Sequence, residues 1–421
     1  MSAPAAVPES PRNVVPTTPP AELIALRSAA AVRERCARVR EWVAQGRSPH
    51  FTLETDRLDA TAAFVAEVTR ASYPDLAIPH HSRWRHFSAG EYDRWAALPL
   101  ARLSAIERAR AAVDLTVVSV LLDAGAGSAW RYREGESGIV FTRSEGLAVA
   151  SFAMFRDGLF SSDPDRPLSV DRTALAGLAP AALATGFQAS ERNPLVGLSQ
   201  RVALLGRLGE ALAARPDLFG ANGRPGHLVD AIAAASPAGS IAAADLLALV
   251  LDALATIWPS GLTVEGVALG DAGRHPAART ADRSDGIVPF HKLSQWLAYS
   301  LIEPLAQAGI TVIALDGLTG LPEYRNGGLL VDMGVIVPRA PLDPIVPHAV
   351  ASELIVEWRA LTVALLDALC DATRRRLGVE TLSLSQLLQG GSWSAGRTIA
   401  LDKRPPDGPP PIAVKADGTV F

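Results

Sequence analysis

Cysteine is nearly absent from this chain. Its 421 residues contain two, Cys36 and Cys370, at no metal-ligand or redox spacing, and so sparse a usage argues for a reducing, cytoplasmic compartment. Net charge is also lacking. Lys plus Arg total 40 against 44 Asp plus Glu, a balance of -4, which gives no global pull towards nucleic acid or an anionic membrane. Neither is expected as a partner, and any anion must be met by a local pocket. The first residues, MSAPAAVPESPRNVVPTTPP, carry proline throughout and no basic segment followed by an apolar run. They read as a disordered tail over 1–19, not as a secretory signal or a membrane span. The most apolar later run, AAADLLALVLDALATIW, contains Asp245 and Asp252 and is short for a bilayer, so it reads as a core helix. There is no internal repeat and no flexible linker.

What is present is core and helix. Hydrophobic residues make up 48% and charged residues 20%, the profile of a folded chain. Apolar residues recur at helical spacing from Ala21 to Gly46, Thr55 to Tyr73, Ala105 to Leu122, Glu145 to Phe155, Leu195 to Ala214, His227 to Ala235, Asp245 to Ile257, His291 to Gln307 and Ala349 to Arg376. Strand signals are short and few: TVEGVAL, ITVIAL, GLLVDMGVIV and PIAVKADGTVF. The expected fold is mainly α, a single helical domain over 20–421 with a few short β-strands. Its apolar end, Val420-Phe421, is expected to be docked.

Several stretches carry possible chemistry. In LTGLPEYRNGGLLVD, Pro322 and Gly327-Gly328 fence Glu323, Tyr324, Arg325 and Asn326; breakers on both sides predict a loop that presents these side chains. HHSRWRHF, His80 to Phe87, concentrates histidine and arginine. No acidic or thiol set complements it at ligand spacing, so an anion-binding or positioning loop, or a structural turn, fits it better than metal ligation does. In DAGAGSAW the helix ends at Asp123, and Gly125 and Gly127 precede Trp130; the glycines admit close approach of a ligand or of another helix. RSEGLA, Arg143 to Ala148, reads as a helix cap unless a phosphate lies nearby. His291, Gln295 and Tyr299 form one polar stripe of a helix, with Lys292 in its first turn, where the helix dipole disfavours a cation unless an anion is shared. Glu353 and Glu357 lie one turn apart and read as surface ion pairing. QGGSWSAGR, Gln389 to Arg397, reads as a second glycine-rich loop.

Together, DAGAGSAW, RSEGLA, PFHKLSQWLAYSL, GLTGLPEYRNGG, VEWRALTV, GGSWSAGR and the terminal DGTVF resemble the family of uracil-catabolism proteins known as the Urc-four/Urg-three group. The resemblance implies a role in a ring-opening route that passes through a phosphoribosylated pyrimidine and yields urea, with a ribosylurea-type intermediate as substrate. The order of elements is also similar to that of the queuosine-nucleotide N-glycosylase family, whose fold is of the helical DNA-glycosylase class. On that likeness Lys292 falls on an arginine of the family and Gln295 on its glutamine. Phe290 replaces its catalytic aspartate, and Ala244 lies near the position of its lysine. The missing acid must come from elsewhere, and the segment after the His291 helix offers Asp316, Glu323 and Asp332.

Cleaving a ribose C1'–nitrogen bond builds positive charge on the sugar, which a carboxylate stabilises while a donor assists the departing urea. The expected catalytic carboxylates are Glu323 first and Asp332 second. Gln295, Tyr324 and Asn326 are expected at the urea or ribose. His291, Lys292 and Arg325 are the expected cations, with Arg83, Arg85 and Arg397 in reserve, and Asp123, Trp130 and Trp393 complete the binding set. The expected substrate is a small phosphoribosyl compound, with no cofactor and no metal. An amidohydrolase acting on the ureido carbonyl, or a non-catalytic binding subunit, would fit the same residues.

Overall fold

The computed structural model describes residues 19–236, 238–258, 261–342 and 346–415. Residues 1–18 of the expected tail, and the expected docked end at Val420-Phe421, lie outside them. The fold is mainly α, with 54% helix and 8% strand.

Ten helices organise it: α1 (Ala29–Ala44), α2 (Leu58–Ser72), α3 (Ala105–Leu121), α4 (Arg143–Arg156), α5 (Leu198–Ala214), α6 (Ala243–Leu254), α7 (Lys292–Ser300), α8 (Tyr324–Asp332), α9 (Glu353–Leu377) and α10 (Trp393–Lys403). The central one is α3, which is buried on every face from Ala111 to Leu121, as its apolar run requires. It packs on α4, α5 and α7, while the long α9 packs on α1, α2 and α8. The one acidic residue inside the buried stretch, Asp114, is met by Arg224 Nε at 2.7 Å and the Gly226 amide at 2.7 Å.

Among the described residues, strands occur as two-stranded pairs. Phe51–Leu53 pairs antiparallel with Ile336–Pro338, and Ser240–Ala242 pairs parallel with Thr311–Ile313. The TVEGVAL signal is a hairpin, Leu262–Val264 on Val267–Gly270. Glu265 and Gly266 both have positive φ at its turn, the geometry that matches strand twist.

Two expected helices are interrupted. The Ala21–Gly46 helix divides into Ala21–Ala25 and α1, because the Ser28 side chain accepts the Ala31 amide and starts a new helix. The His291–Gln307 helix breaks at Leu301 before Ile302–Gln307.

The two glycine-rich stretches are the main corrections. Neither QGGSWSAGR nor the YRNGG row is a loop; both are helical, the first through a π-turn over Leu388–Ser392 that runs into α10. The GLLVDMGVIV strand signal holds only at Ile336–Pro338; Gly328 to Asp332 belong to α8 and Met333 to Val335 form the turn between them. These glycines serve helix contact instead of turns. A Cβ on Gly327 would lie 2.8 Å from Trp358 and Thr362 of α9, and one on Gly396 would lie 2.2 Å from the Arg325 carbonyl. Glu357, expected at the surface, is fully buried with His275 Nε2 at 2.9 Å and the Ser48 hydroxyl as partners.

Gly396→Ala is therefore expected to force α10 away from backbone that cannot yield. The cost should be about 1–3 kcal/mol, read as a lowered midpoint in thermal or urea unfolding against wild type.

Candidate active site

A cavity of about 370 Å³ lies where α3 ends and α4, α7 and α8 begin. Asp123 to Ser128 form one wall, and Arg143 and Ser144 of α4, Lys292 and Trp296 of α7, and Glu323 to Arg325 at the start of α8 form the others. Trp393 and the segment Asp407 to Pro410 close it.

The Asp123 wall is held by a residue with no surface. Arg201, on α5, is fully buried and donates to the carbonyls of Leu122 at 3.1 Å, Gly125 at 3.3 Å, Ala124 and Val196. One guanidinium thus satisfies the carbonyls left over where α3 stops. The Asp123 carboxylate accepts from Ser144 Oγ at 2.6 Å, Arg83 Nη1 at 3.0 Å and Trp296 Nε1 at 3.2 Å.

Opposite it, Glu323 is the N-cap of α8. Its two carboxylate oxygens accept from the amides of Arg325, at 2.7 Å, and Asn326, at 2.6 Å. Burial raises its pKa above the ordinary value, against the pull of those amides, Lys292 and Arg325. Lys292 opens α7, whose first amide donates to Asp271 Oδ2 at 2.9 Å. Asp271 in turn is gripped by Arg359 through bonds of 2.9 and 2.7 Å. Burial would raise the Asp271 carboxyl, but Arg359 and the Lys292 amide hold it below its ordinary value. Burial lowers the Lys292 ammonium, while Glu323 and Asp123 work against that shift. Two carboxyl groups and one lysine thus line one cavity.

An aromatic shelf completes the site. His81 packs on Trp296 with ring centroids 4.6 Å apart and on Trp393 at 6.0 Å. Its Nδ1 lies 2.9 Å from Gln389 Oε1, which places the proton there and leaves Nε2 an acceptor. His86 accepts at Nδ1 from Arg83, at 3.3 Å.

Of the sequence-predicted residues, Glu323, Lys292, Asp123, Tyr324, Arg325 and Trp393 line this cavity, and the rest do not. Asp332, the second expected carboxylate, is occupied by Arg404 at 2.7 Å at the far end of α8. Gln295 is consumed by Phe290 and Thr319, and Asn326 by Leu321 and Ser392; both are fully buried tethers. His291 bonds the Leu26 carbonyl at 2.9 Å, and Trp130 bonds that of Phe187 at 3.0 Å inside the core. Arg83 backs the wall through Asp123, Arg85 pairs with Glu303 at 2.7 Å, and Arg397 reaches Glu145 on the surface. Asp316 is paired with Arg374. Sequence reasoning missed His81, His86, Trp296, Arg143 and Ser144 as cavity residues. HHSRWRHF and RSEGLA carried the signal for four of them, but nothing in the sequence tied those segments to the same hollow.

The fold and cavity define a helical protein with a mixed-charge pocket of small-molecule size. The chain belongs to the family described as "Protein of unknown function (DUF1688)", whose model matches residues 25–421. It is similar to "Uracil catabolism protein 4" of Lachancea kluyveri, at 38% identity over 94% of this chain and 98% of that one. It is also similar to "Protein urg3" of Schizosaccharomyces pombe, at 40% identity over 88% of this chain and 92% of that one. Among the described residues no helix is long and apolar enough to cross a membrane.

His81 is pushed down to about 4, chiefly by burial. An imidazole NMR titration is therefore expected to show a neutral Nδ1–H ring from pH 8 down to the acid limb near pH 4; an inflection near the ordinary histidine value of about 6.5 would contradict this packing. Because the folded pKa is depressed, the ring's contribution to stability should be lost progressively as pH falls from about 6.5.

Proposed function

We propose that this protein acts in uracil catabolism as a hydrolase of the N-glycosidic bond of ribosylurea, releasing urea and the ribosyl moiety, with residues 20–421 as one catalytic domain. The observation that carries the reading is the convergence of Asp123, Glu323 and Lys292 on one cavity, together with the relative named for uracil catabolism.

As the C1'–N bond breaks, the sugar becomes an oxocarbenium-like cation. Glu323 and Asp123 supply the negative field that favours it, fixed in advance by the donors that hold each carboxylate. Water is directed to C1' by the carboxylate it meets there. The urea nitrogen leaves as a neutral amide only if it gains a proton, and the Lys292 ammonium, its pKa lowered by burial, is the donor the cavity offers. Trp296, Trp393 and His81 suit a flat ureido group, which can stack on the rings while its N–H donates to His81 Nε2. All of this chemistry is assigned to side chains of the chain itself.

Purified protein incubated with ribosylurea, as the free compound and as its 5'-phosphate, is expected to release free urea. Glu323→Gln should lower kcat by roughly 10²–10⁴-fold while keeping the wild-type circular dichroism spectrum; Asp123→Asn should lower kcat as much and also lower the unfolding midpoint, because it strands the Arg83 charge. Ammonia in place of urea would identify an amidohydrolase, and wild-type turnover by Glu323→Gln would remove the carboxylate role.

A further inference from the structure

His86 lines the cavity and has no part in that chemistry, yet it is built as the counterpart of His81. The two stand at either end of the short helix Arg83–His86 and pack on the same indole, their rings 4.6 Å (His81) and 6.1 Å (His86) from that of Trp296. His81 is only 5% exposed. Neither Nε2 has a hydrogen-bond partner among the described residues, and neither is sealed away from open space. Both are therefore open to a molecule in the cavity that the two rings line.

The other nitrogen of each ring fixes what its Nε2 can do. His81 Nδ1 lies 2.9 Å from Gln389 Oε1, and that amide is oriented by its Nε2, which donates to the Tyr73 hydroxyl at 3.4 Å. An amide oxygen only accepts, so His81 carries its proton at Nδ1 and its Nε2 is a bare acceptor. His86 is the reverse. Its Nδ1 lies 3.3 Å from Arg83 Nη1, and a guanidinium only donates, so Nδ1 is bare and the proton sits at Nε2. Ser144 Oγ, 3.4 Å from the same nitrogen, spends its own proton on Asp123. Burial keeps both rings neutral at pH 7: it lowers His81 to about 4, and it lowers His86 with the help of the Arg83 charge, against Glu145 and Asp123. One acceptor and one donor, in opposite tautomers, thus stand beside a single flat ring.

An acceptor beside a donor complements a group in which N–H adjoins C=O; a ketone or an ester lacks the N–H, and an amine lacks the carbonyl. We propose that His81 and His86 are the specificity-determining pair that reads this edge of the leaving group, His81 Nε2 accepting from an N–H and His86 Nε2 donating to the carbonyl oxygen. The proposal rests on the hydrolase reading above for the identity of the group and adds the residue that meets its oxygen. As the C1'–N bond breaks, its electron pair passes to the urea nitrogen and is shared with that oxygen, so the bond from His86 strengthens in the transition state. The proton that neutralises the nitrogen still comes from Lys292. One leaving group is met by His86 at oxygen and by Lys292 at nitrogen.

Imidazole nitrogen NMR of the wild-type protein at neutral pH is expected to show His81 protonated at Nδ1 and His86 at Nε2. Urea, kept below denaturing concentration, should bind saturably and move both Nε2 signals, whereas acetone, of the same shape but without N–H, should bind at least tenfold more weakly. His86→Leu is expected to weaken urea binding at least tenfold, and His86→Gln, whose side-chain amide can place an N–H where Nε2 stood, to keep it within about threefold. The kcat for urea release from ribosylurea should fall and recover in the same two variants. The same tautomer in both rings, no saturable binding of urea to wild type, or acetone bound as tightly as urea would overturn the pair; these wild-type readings decide if His86→Leu does not fold. Unchanged urea binding and unchanged kcat in folded His86→Leu would also overturn it while leaving the hydrolase reading intact. Urea binding that moves both Nε2 signals, without urea release from ribosylurea, would do the reverse.

Discussion

The site depends on the bonding of one carboxylate. Asp123 ends the central helix α3, and its oxygens join Arg83 from the short helix over 83–86, Ser144 from the start of α4 and Trp296 from α7. Three elements far apart in sequence are thereby held around one wall of the cavity. The Arg83 side chain is fully buried, and removing either member of a buried ion pair strands a charge, which typically costs about 3–5 kcal/mol. The geometry of the wall and the stability of the centre of the fold are therefore coupled.

The chain's basic residues divide the remaining work by their chemistry. Only three of the 40 are lysines, at 292, 403 and 415. The buried arginines act as forked clamps: Arg201 on four carbonyls, Arg359 on Asp271, Arg94 on Glu134 and on the carbonyls of Phe87, Ala89 and Tyr92. A guanidinium suits this role because it is planar, permanently charged and weakly hydrated. An ammonium is compact and strongly hydrated, and its pKa moves when it is buried. The one lysine at the cavity is thus the cation whose proton can most readily move, and Arg359 fixes its helix through Asp271 instead of competing for its place.

Helical periodicity made most of the fold legible. The α3, α4, α5 and α9 segments lie within a few residues of where apolar spacing sets them, because each buries a continuous stripe or its whole circumference. Glycine was misleading. Gly327, Gly328, Gly390, Gly391 and Gly396 read as loop signals, yet they sit in helical turns; at Gly327, Gly391 and Gly396 another helix approaches so closely that a methyl group would collide, and at Gly328 and Gly390 the fit against Pro411 and Ile78 is tight. A glycine that bends the backbone and one that admits a neighbour are the same letter. In the site, Lys292 stood out because a cation in a first helical turn is unfavourable, and Asp123 because glycines follow it. Arg201 gave no comparable sign, since an arginine at a helical position usually reads as solvated. Gln295 and Asn326 were expected at the urea or ribose, but each accepts a bond from a residue far along the chain, Gln295 from the Thr319 amide 24 residues away and Asn326 from the Ser392 hydroxyl 66 residues away, contacts that only the tertiary fold creates.

Glu323 shows why such a site resists partition into structural and chemical residues. As N-cap it satisfies two amides that α8 would otherwise leave bare, and at the cavity it places a carboxyl group opposite Lys292 and Asp123. The cap fixes its rotamer before any ligand arrives, so its field would need little reorganisation during the proposed reaction. The α8 amides favour the anion while burial opposes it, and on the proposed reaction a cationic sugar alongside would add to the favourable side. A glutamine in its place would retain one acceptor oxygen and lose the charge. The cap would be weakened and the field abolished, so the chemical role should be far more sensitive to that exchange than the fold.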